Sequence, residues 1–455
     1  MPQFDLILRN CLVLQADFSI LKNATLCIDK GRIVKIETDT KQAANLQAET
    51  TLDGSGKLAM PGLIDCHTHS AQQLLRGGIT DEMPMVWARL LVPFESNLTP
   101  EEVYAGAMLF CIENLKAGIT TFAESGGPFM EATAQAAIET GIRANIARST
   151  IDQGDFPATM KDTTAAALSK TETLYKNYHN AGEGRVRIWF SVRSAITCSH
   201  ELVEAISIRS KELNTGVHIH LAEHLDEVAF CLSKYGKRPA EWFDSLNLLG
   251  PNLIGAHSVR LSDPEVKLMS ERRANAVHCP RSNLSGHGFS KTPLLLALKV
   301  NVALGTDGAS GTRLDLFEQM RLLRSAMQAR YGIEINDPFT LPFLELLKMV
   351  TSAGARAVML QDEIGTLEVG KKADIILLGL DKPHLSPSVN LLKSIVMAAG
   401  PNDVQDVIVD GKLLMHDRVL LHLDEEQIRR QAATAMQQAG KRAGLSLDSM
   451  YPGGC

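Results

Sequence analysis

The chain has 455 residues, of which 45% are hydrophobic and 22% are charged, and its formal net charge is −6. This is the composition of an ordinary globular protein with enough apolar material for a large core. Lys and Arg form no basic stripe along the sequence, which argues against nucleic acid and against a membrane surface as partners.

The eight cysteines are widely spaced and form no Cys-x-x-Cys pair. This spacing argues against a disulfide framework and against a cysteine zinc site. The N-terminus carries acidic residues where a signal peptide has a basic segment, and no apolar run reaches the ~18 residues of a membrane span. We therefore predict a cytoplasmic protein with separate, buried thiols.

Short strands are predicted for the first sixty residues, where ATLCIDKGRIVKIE holds a Lys-Gly turn between two apolar runs. From about residue 60 to 360, strand-like runs alternate with helical stretches such as PEEVYAGAMLFCIENLKAG and FMEATAQAAIETG. The runs are LAMPGLIDC, GITTFAES, RANIARST, VRIWFSVRS, GVHIHLAE, NLIGAHS, NAVHCP and NVALGTD. Eight strand–helix units predict an α/β fold, a closed (β/α)₈ TIM barrel.

Strands are predicted again after residue 362, in IGTLEVGKKADIILLGL and DVQDVIVDGKLLMHDRVL. The tail DEEQIRRQAATAMQQAGKRAG begins with acids and ends with bases, which suits a helix dipole, and the terminal YPGGC is expected to fray. We predict three parts: residues 1–60 with 362–425 as a composite β-sandwich domain, 61–361 as the barrel, and 426–455 as a C-terminal helical tail.

Ionisable residues end several of the predicted barrel strands, where a parallel barrel collects its catalytic groups. His67 and His69 share one face of their strand because side chains alternate, so they are a candidate pair of metal ligands, although chance structural histidines are an alternative. In VHIHLAEH either His218 or His220 could be a ligand. Glu223 in the same stretch, with a raised pKa, would suit acid–base work.

Three more strand ends carry candidates: His257 in LIGAHSVRL, Asp307 in VALGTDGAS, and His278 in AVHCPRSN. Asp307 could act both as a metal ligand and as the base for an attacking water. The histidines interpreted as ordinary structural or surface residues are His200, His224, His287 and His384. The joint order of His-x-His, His-x-x-Glu, His and Asp is much harder to obtain by chance than any single motif.

These motifs together resemble the amidohydrolase superfamily, and most closely its deaminase and chlorohydrolase branch. That branch includes the methylthioadenosine/S-adenosylhomocysteine deaminases and the triazine hydrolases. The resemblance runs through PGLIDCHTHS, TDEMPMVWARLLVPFES, GITTFAES, HIHLAEH, GAHSVRL, VHCPRSN, GTDGA, GTLEVGKKADIILL and VIVDGK. The set is specific for the branch and much less specific for one substrate.

The resemblance implies a mononuclear metal site, usually zinc and sometimes iron, with His67, His69, His220 and Asp307 as ligands. It thereby favours His220 over His218. It further implies that Glu223 shuttles a proton to the ring nitrogen and leaving amine. His257 would orient the water and Asp307 would take its proton.

Substrate-binding residues are predicted from the same resemblance. The stretch around Trp87 and Glu95 looks like the adenosine-type deaminases, where such an acid contacts ribose hydroxyls; an ordinary loop acid is the alternative. Arg148, like Arg143, lies on the third barrel strand, where related enzymes can bind a carboxylate, and a salt bridge is the alternative for at least one of them.

This chain departs from the related deaminases in two places. Arg193 stands where they carry a purine-contacting histidine, and Ile196 where they carry a tyrosine; the loop at residues 309–313 lacks their Asn-rich run. A guanidinium is a permanent donor, so Arg193 would favour a ring carbonyl or an anionic group over plain adenine.

We therefore expect a metal-dependent hydrolytic deaminase of an amino-substituted nitrogen heterocycle (a purine, purine nucleoside, pterin or similar ring) that releases ammonia. Hydrolysis of another bond at the same site, such as triazine dechlorination or amide cleavage, is the alternative. A catalytically silent binding protein is a third. The expected partners are a small heterocyclic substrate and water, and assembly into a homodimer or higher homo-oligomer is a further expectation.

Overall fold

The computed structural model describes residues 3–80, 82 and 86–445. Two sheets contain the strands of these residues. The strands are β1 (Phe4–Leu14), β2 (Ile20–Asp29), β3 (Arg32–Glu37), β4 (Ala48–Asp53), β5 (Lys57–Pro61), β6 (Leu63–His69), β7 (Ile119–Glu124), β8 (Arg143–Ala147), β9 (Val186–Val192), β10 (Val217–Leu221), β11 (Leu253–His257), β12 (Asn275–His278), β13 (Asn301–Leu304), β14 (Asp307–Gly308), β15 (Ile375–Gly379), β16 (Val404–Val409), β17 (Lys412–His416) and β18 (Val419–Leu420).

Helices connect and cover these strands. The α-helical segments are Thr40–Ala44, Val92–Glu95, Pro100–Lys116, Met130–Thr140, Thr164–Tyr178, Ala181–Gly184, His200–Glu212, Leu225–Tyr235, Pro239–Ser245, Asp263–Arg272, Pro280–Ser282, Thr292–Ala297, Leu316–Met327, Phe343–Met349, Ser352–Ala357, Leu391–Ala398 and Glu425–Arg442. Short 3₁₀ or π-helical turns lie at Ser70–Leu75, Trp87–Leu91, Asn283–His287, Gln328–Gly332 and Pro401–Asp403.

The second sheet is a closed parallel barrel. Each strand from β6 to β13 pairs in parallel with the next. The two residues Gly305 and Thr306 separate β13 from β14, which continues the same course and pairs back onto β6 through Asp307 and Thr68. Eight strand positions therefore close the ring, and the predicted (β/α)₈ barrel is confirmed.

All eight predicted strand runs contain a barrel strand, but the first run divides between two sheets. In LAMPGLIDC the chain leaves β5 of the other sheet and enters β6 at Gly62. A β-carbon at Gly62 would lie 2.0 Å from the Thr120 hydroxyl oxygen, so only glycine fits this crossing.

The helix at Pro100–Lys116 shows why the sequence pattern predicted these elements well. Thr99 accepts a hydrogen bond from the backbone N–H of Glu102, and the Glu102 carboxylate accepts one from the Thr99 N–H. This capping box satisfies two end groups of the helix, with Pro100 in the first turn and Lys116 in the last. The buried side chains of the helix belong to the main hydrophobic core.

The N- and C-terminal segments meet in the other sheet, whose order is β18-β17-β16-β15-β5-β1-β2-β3, with β4 paired to β1. Ala373 bridges the turn after β2 and the turn after β16: its N–H donates to the Gly31 carbonyl, and its carbonyl accepts a hydrogen bond from the Gly411 N–H. The sheet folds over its own core, which includes Leu8 and Ile408. The predicted β-domain, built from both chain ends, is confirmed, and its described strands form one nine-stranded sheet.

Apolar side chains fill the lower barrel, so the ring is a packed core and not a pore. They are Ile64, Cys66, Ala123, Ala147, Trp189, Ile254, Val277 and Ala303, closed from below by Ala355, Ala357, Val358 and Leu360. The chemistry is thereby restricted to the upper end of the barrel.

The tail helix covers Glu425–Arg442 and packs on the helix at Pro100–Lys116. The terminal YPGGC, with Cys455, lies outside the described residues; the other seven cysteines are free and buried. Among the described residues, no helix is long and apolar enough to cross a membrane.

Candidate metal centre and active site

Four side chains converge on one point, three from the carboxyl-terminal parts of β6 and β10 and one from the first residue of β14. Asp307 Oδ1 lies 3.5 Å from His67 Nε2 and 3.6 Å from His69 Nε2. The Nε2 atoms of His69 and His220 are 3.3 Å apart. All three histidines are buried. The geometry therefore brings together the whole predicted ligand set.

A buried carboxylate holds two of these positions in place. Asp65 Oδ1 accepts hydrogen bonds from the backbone N–H of Thr306 at 3.0 Å and of His67 at 3.2 Å, while Oδ2 accepts from the Thr306 hydroxyl at 2.5 Å. Burial raises the pKa of Asp65 to about 7 in spite of these bonds. One side chain thus ties the end of β6 to the residue before Asp307, across the seam where the barrel closes.

The donor atoms of this cluster suit a divalent transition metal. Three imidazole nitrogens and one carboxylate oxygen are a set that zinc binds. Burial lowers the pKa of each imidazole, and for His69 and His220 the charge of Arg193 adds to the effect, so the rings are neutral donors. His67 Nε2 is buried without a hydrogen-bond partner, as expected of a nitrogen reserved for a metal.

Arg193 places a positive charge at the same point. Its Nη1 lies 2.7 Å from His220 Nε2 and 3.3 Å from His69 Nε2, and its guanidinium carbon lies 5.0 Å from the centre of the Trp87 ring. A cationic donor thus stands beside the lone pairs that a metal would use. Because each lone pair serves one partner at a time, this hydrogen bond and coordination exclude each other.

Two further polar groups orient the proposed ligands. His218 Nε2 lies 2.8 Å from His67 Nδ1, and both rings are buried. The Ser125 hydroxyl lies 3.0 Å from His69 Nδ1. Hydrogen bonds to the far ring nitrogen fix the tautomer and the direction of a metal-ligating histidine. His218, left open by spacing alone, therefore lies behind the cluster and contacts His67.

Glu223 lies beside this centre among several imidazoles. Its Oε1 is 3.6 Å from His257 Nε2, and one ring nitrogen each of His67, His220 and His257 lie within 4.8 Å of one another. Burial alone would raise the pKa of Glu223, but His257, His224 and His287 outweigh burial and lower it below the usual range. The expectation of a raised pKa was wrong, because three imidazoles surround this carboxylate.

His257 is held in position by its neighbours. Its Nδ1 lies 3.0 Å from the amide oxygen of Asn283, and its carbonyl accepts a hydrogen bond from His278 Nδ1 at 2.9 Å. The backbone at His257 has φ +66°, a left-handed conformation that costs free energy in a non-glycine residue. His278, predicted as a strand-end candidate, thus holds the backbone of His257 through this hydrogen bond.

The four predicted substrate-binding residues divide into two groups. The Trp87 ring lies tilted against Phe156, with ring centres 5.4 Å apart, and next to Arg193. Glu95 is buried and accepts a hydrogen bond from Gln72, and burial raises its pKa against the opposing charge of Arg193. Arg193 thus lies against both the Trp87 ring and the proposed metal ligands, and its charge acts on Glu95.

Arg148 is already engaged elsewhere. Its Nη2 donates to Asp162 Oδ2 at 2.7 Å, and Asp162 also binds Lys170. Arg143 makes a buried, two-pronged ion pair with Asp374 of the β-domain. Both arginines therefore follow the salt-bridge alternative, and the structure does not bring Arg148 into the metal cluster.

Two histidines interpreted as ordinary residues belong to the site. His287 Nε2 lies 3.2 Å from Glu223 Oε1, and His224 Nε2 lies 3.4 Å from the same oxygen. His224 is adjacent to Glu223 in the sequence, which was a usable signal. His287 carries no such signal, because only the loop after β12 brings it to the cluster.

Comparison with known proteins agrees with this geometry. Residues 58–414 match the model of the amidohydrolase family, and the chain belongs to that family. A 5-methylthioadenosine/S-adenosylhomocysteine deaminase from Caldanaerobacter subterraneus subsp. tengcongensis is 36% identical over 407 residues, which are 88% of this chain and 92% of the relative. The predicted resemblance is confirmed.

Solved structures show the same architecture. An adenosine deaminase from Xanthomonas campestris with bound zinc superposes with a TM-score of 0.90 at 29% identity, over 97% of this chain and all of its own. An atrazine chlorohydrolase from Arthrobacter aurescens, complexed with zinc, gives a TM-score of 0.81 at 24% identity, over 95% of this chain and 100% of its own. At 24% identity, the similarity to the atrazine chlorohydrolase shows only that the fold is shared.

Proposed function

We propose that this chain is a zinc-dependent hydrolytic deaminase of an amino-substituted nitrogen heterocycle. The observation that carries the proposal is the convergence of His67, His69, His220 and Asp307 beside Glu223 and His257. The relative and the adenosine deaminase named above support deamination through their own activities.

In the proposal, His67, His69, His220 and Asp307 hold the metal. When bound, a divalent metal is a Lewis acid that makes water a competent nucleophile near neutral pH. The buried imidazoles are neutral, and the adjacent His67 ring together with the other nearby imidazoles holds the pKa of Asp307 well below its usual range. Both features favour cation binding.

The remaining residues move and position protons. Asp307 receives the proton of the attacking water, and His257 orients that water through Nε2 while Asn283 holds its other nitrogen. Glu223 enters the reaction ionised, because its neighbours lower its pKa. It accepts one proton of the attacking water and gives it to the ring nitrogen. The second water proton, taken up by Asp307, then passes through Glu223 to the departing amine, which leaves as ammonia.

The substrate lies, in this proposal, along the wall formed by Trp87, Glu95 and Arg193. Trp87 offers an aromatic face for a flat ring. Glu95 is a buried acceptor for hydroxyl groups, as a nucleoside carries. Arg193, once displaced from the imidazoles, offers donors to a ring carbonyl or an anionic group. Arg148 is left out of the proposed substrate site, because Asp162 binds it.

Several coarser expectations belong to the same proposal. The widely spaced, buried thiols support a reducing, cytoplasmic compartment. The net charge of −6 supports a small-molecule partner over nucleic acid. The domain boundaries at residues 60–61, 361–362 and 425–426 remain predictions, as does assembly into a homodimer or higher homo-oligomer.

The test is a substrate panel with zinc-loaded enzyme. Adenosine, 5′-thio-substituted adenosines, guanine, a pterin and a chlorinated triazine are incubated separately, and ammonia and chloride are measured in parallel. We expect ammonia from at least one purine or pterin. Chloride without ammonia would support the dechlorination alternative, and no product from metal-loaded protein would refute hydrolysis of these rings.

A variant pair connects the activity to the site. Glu223→Gln should keep stoichiometric zinc and lose turnover, because the amide cannot carry the proton. Glu201→Gln, on the exposed side of the helix His200–Glu212, is the matched control and should keep full activity. Unchanged turnover in Glu223→Gln would remove this residue from the mechanism.

A further inference from the structure

A second group of metal-ligating atoms lies at the outer side of the proposed active site. His287 Nε2 and His224 Nε2 lie 3.2 Å and 3.4 Å from Glu223 Oε1. The two imidazoles are nearly perpendicular, at 83°, with ring centres 4.2 Å apart. One nitrogen from each ring and one carboxylate oxygen all lie within 4.8 Å of one another.

The three side chains come from loops that follow two different barrel strands. Glu223 and His224 lie in the turn between β10 and the helix Leu225–Tyr235, where Ala222 has φ +47°. His287 ends the π-helical turn Asn283–His287 that follows β12. The Nδ1 atom of His287 is buried without a hydrogen-bond partner. The cluster is therefore a product of the barrel architecture and not of local sequence.

A comparable cluster in the β-domain lacks this character. Asp406, His416 and Asp417 also lie close enough to share an ion, but Lys57 Nζ lies 2.7 Å from Asp406 and 3.2 Å from Asp417. The ammonium group already contacts one oxygen of each carboxylate and offsets part of their negative charge. Around Glu223 the groups in contact are imidazoles, each of which can give a lone pair to a cation.

We propose that Glu223, His224 and His287 form a second divalent-metal site, which takes zinc or a similar ion when metal is in excess. Two imidazoles and one carboxylate are an established zinc ligand set. The proposal rests on the function proposed above in one respect: an ion held by Glu223 Oε1 engages the carboxylate that moves protons in that reaction. Occupation of this site therefore inhibits the enzyme.

Solvent access to the cluster agrees with a reversible, regulatory site. The His224 side chain is half exposed, whereas those of Glu223 and His287 are 19% and 13% exposed. An ion can therefore reach the cluster from solution beside His224. Through Glu223, which lies 3.6 Å from His257, the bound ion is coupled to the catalytic centre.

The experiment first counts metal ions, independently of activity. Full-length protein loaded with one equivalent of zinc is titrated with further zinc, and bound metal is measured by equilibrium dialysis. We expect a second, weaker equivalent for wild type and its loss in the double variant His224→Ala/His287→Ala. The tight equivalent should remain in that variant, which also shows that the protein is folded.

Two further variants make the outcome decisive. His224→Ala alone, at the exposed ligand, should weaken the second equivalent without disturbing the buried core. His416→Ala is the matched control and should keep it. A single equivalent in wild type, an unchanged second equivalent in the double variant, or its loss in His416→Ala would each overturn the proposal.

The activity arm then tests inhibition within each protein. Turnover with one equivalent of zinc is compared with turnover in excess zinc, and the ratio should fall in wild type but not in the double variant. An equal fall in both would overturn the inhibitory role. If no substrate is turned over, the proposed function fails, while the metal count still decides whether the site exists.

Discussion

The hydrogen bond between His218 and His67 yields the most direct prediction about the metal centre. The two ring nitrogens are 2.8 Å apart, and both side chains are buried. In His218→Phe the ring volume is nearly kept, but His67 loses its acceptor. A buried donor without a partner costs about 1–3 kcal/mol, and loss of such an orienting group weakens metal binding by about 10–100-fold.

The physical reason is that His218 orders the His67 ring before the metal binds. With His218 in place, His67 is held in the tautomer that presents Nε2 to the cluster. Without it, the free imidazole can turn or exchange its proton, and metal binding must order the ring again. The expected weakening corresponds to about 1.4 kcal/mol for each tenfold change in the dissociation constant.

The assay is zinc competition between the protein and a chelator of known affinity. His218→Gln, whose amide oxygen can accept the same bond, should recover part of the affinity. His179→Phe, at the opposite end of the barrel beside β9, is a control and should bind zinc as wild type does. Equal zinc affinity in His218→Phe and wild type, with both folded, would refute the argument.

Three further changes test other parts of the structure. Arg193→Met should bind zinc about tenfold or more tightly in the same assay, since a charged hydrogen bond of about 1.5–3 kcal/mol no longer competes for the ligands; equal or weaker binding would contradict this competition. Arg143→Met leaves Asp374 buried without its partner and should cost about 3–5 kcal/mol in urea unfolding. Adding Asp374→Leu should recover part of that loss. If Arg143→Met alone costs less than about 1 kcal/mol, the value of a surface pair, the ion pair does not stabilise the contact between barrel and β-domain. Burial raises the pKa of Glu227 from 4.5 to about 8, so wild-type stability should fall as pH rises across that interval; Glu227→Gln should flatten this slope, and an unchanged slope would contradict it.

Much of the fold could be read from local patterns. The alternation of apolar runs with amphipathic stretches predicted all eight barrel strands, because each run must bury both faces of a parallel strand. The pattern did not predict the boundary at Gly62, where one apolar run contributes to two sheets. The close approach to Thr120, which requires glycine at the crossing, is visible only in the structure.

The site was predictable where chemistry and position coincide in sequence. The proposed metal ligands lie at or near the carboxyl ends of barrel strands, which a parallel barrel brings to one edge, and the family resemblance chose His220 over His218. Arg148 had a similar position, yet Asp162, fourteen residues away in sequence, occupies its guanidinium. Pairings of this kind depend on loop paths that no local pattern specifies.

The barrel and the composite domain follow from the periodicity of the sequence, and strand-end motifs together with the family resemblance supply the predicted metal ligands. Only the tertiary structure decided how these residues are tuned. It placed His218 behind His67, surrounded Glu223 with His257, His224 and His287, and set Arg193 against the ligand nitrogens. The physical reason is that hydrogen bonding and pKa depend on distances of a few ångströms between groups far apart in the chain.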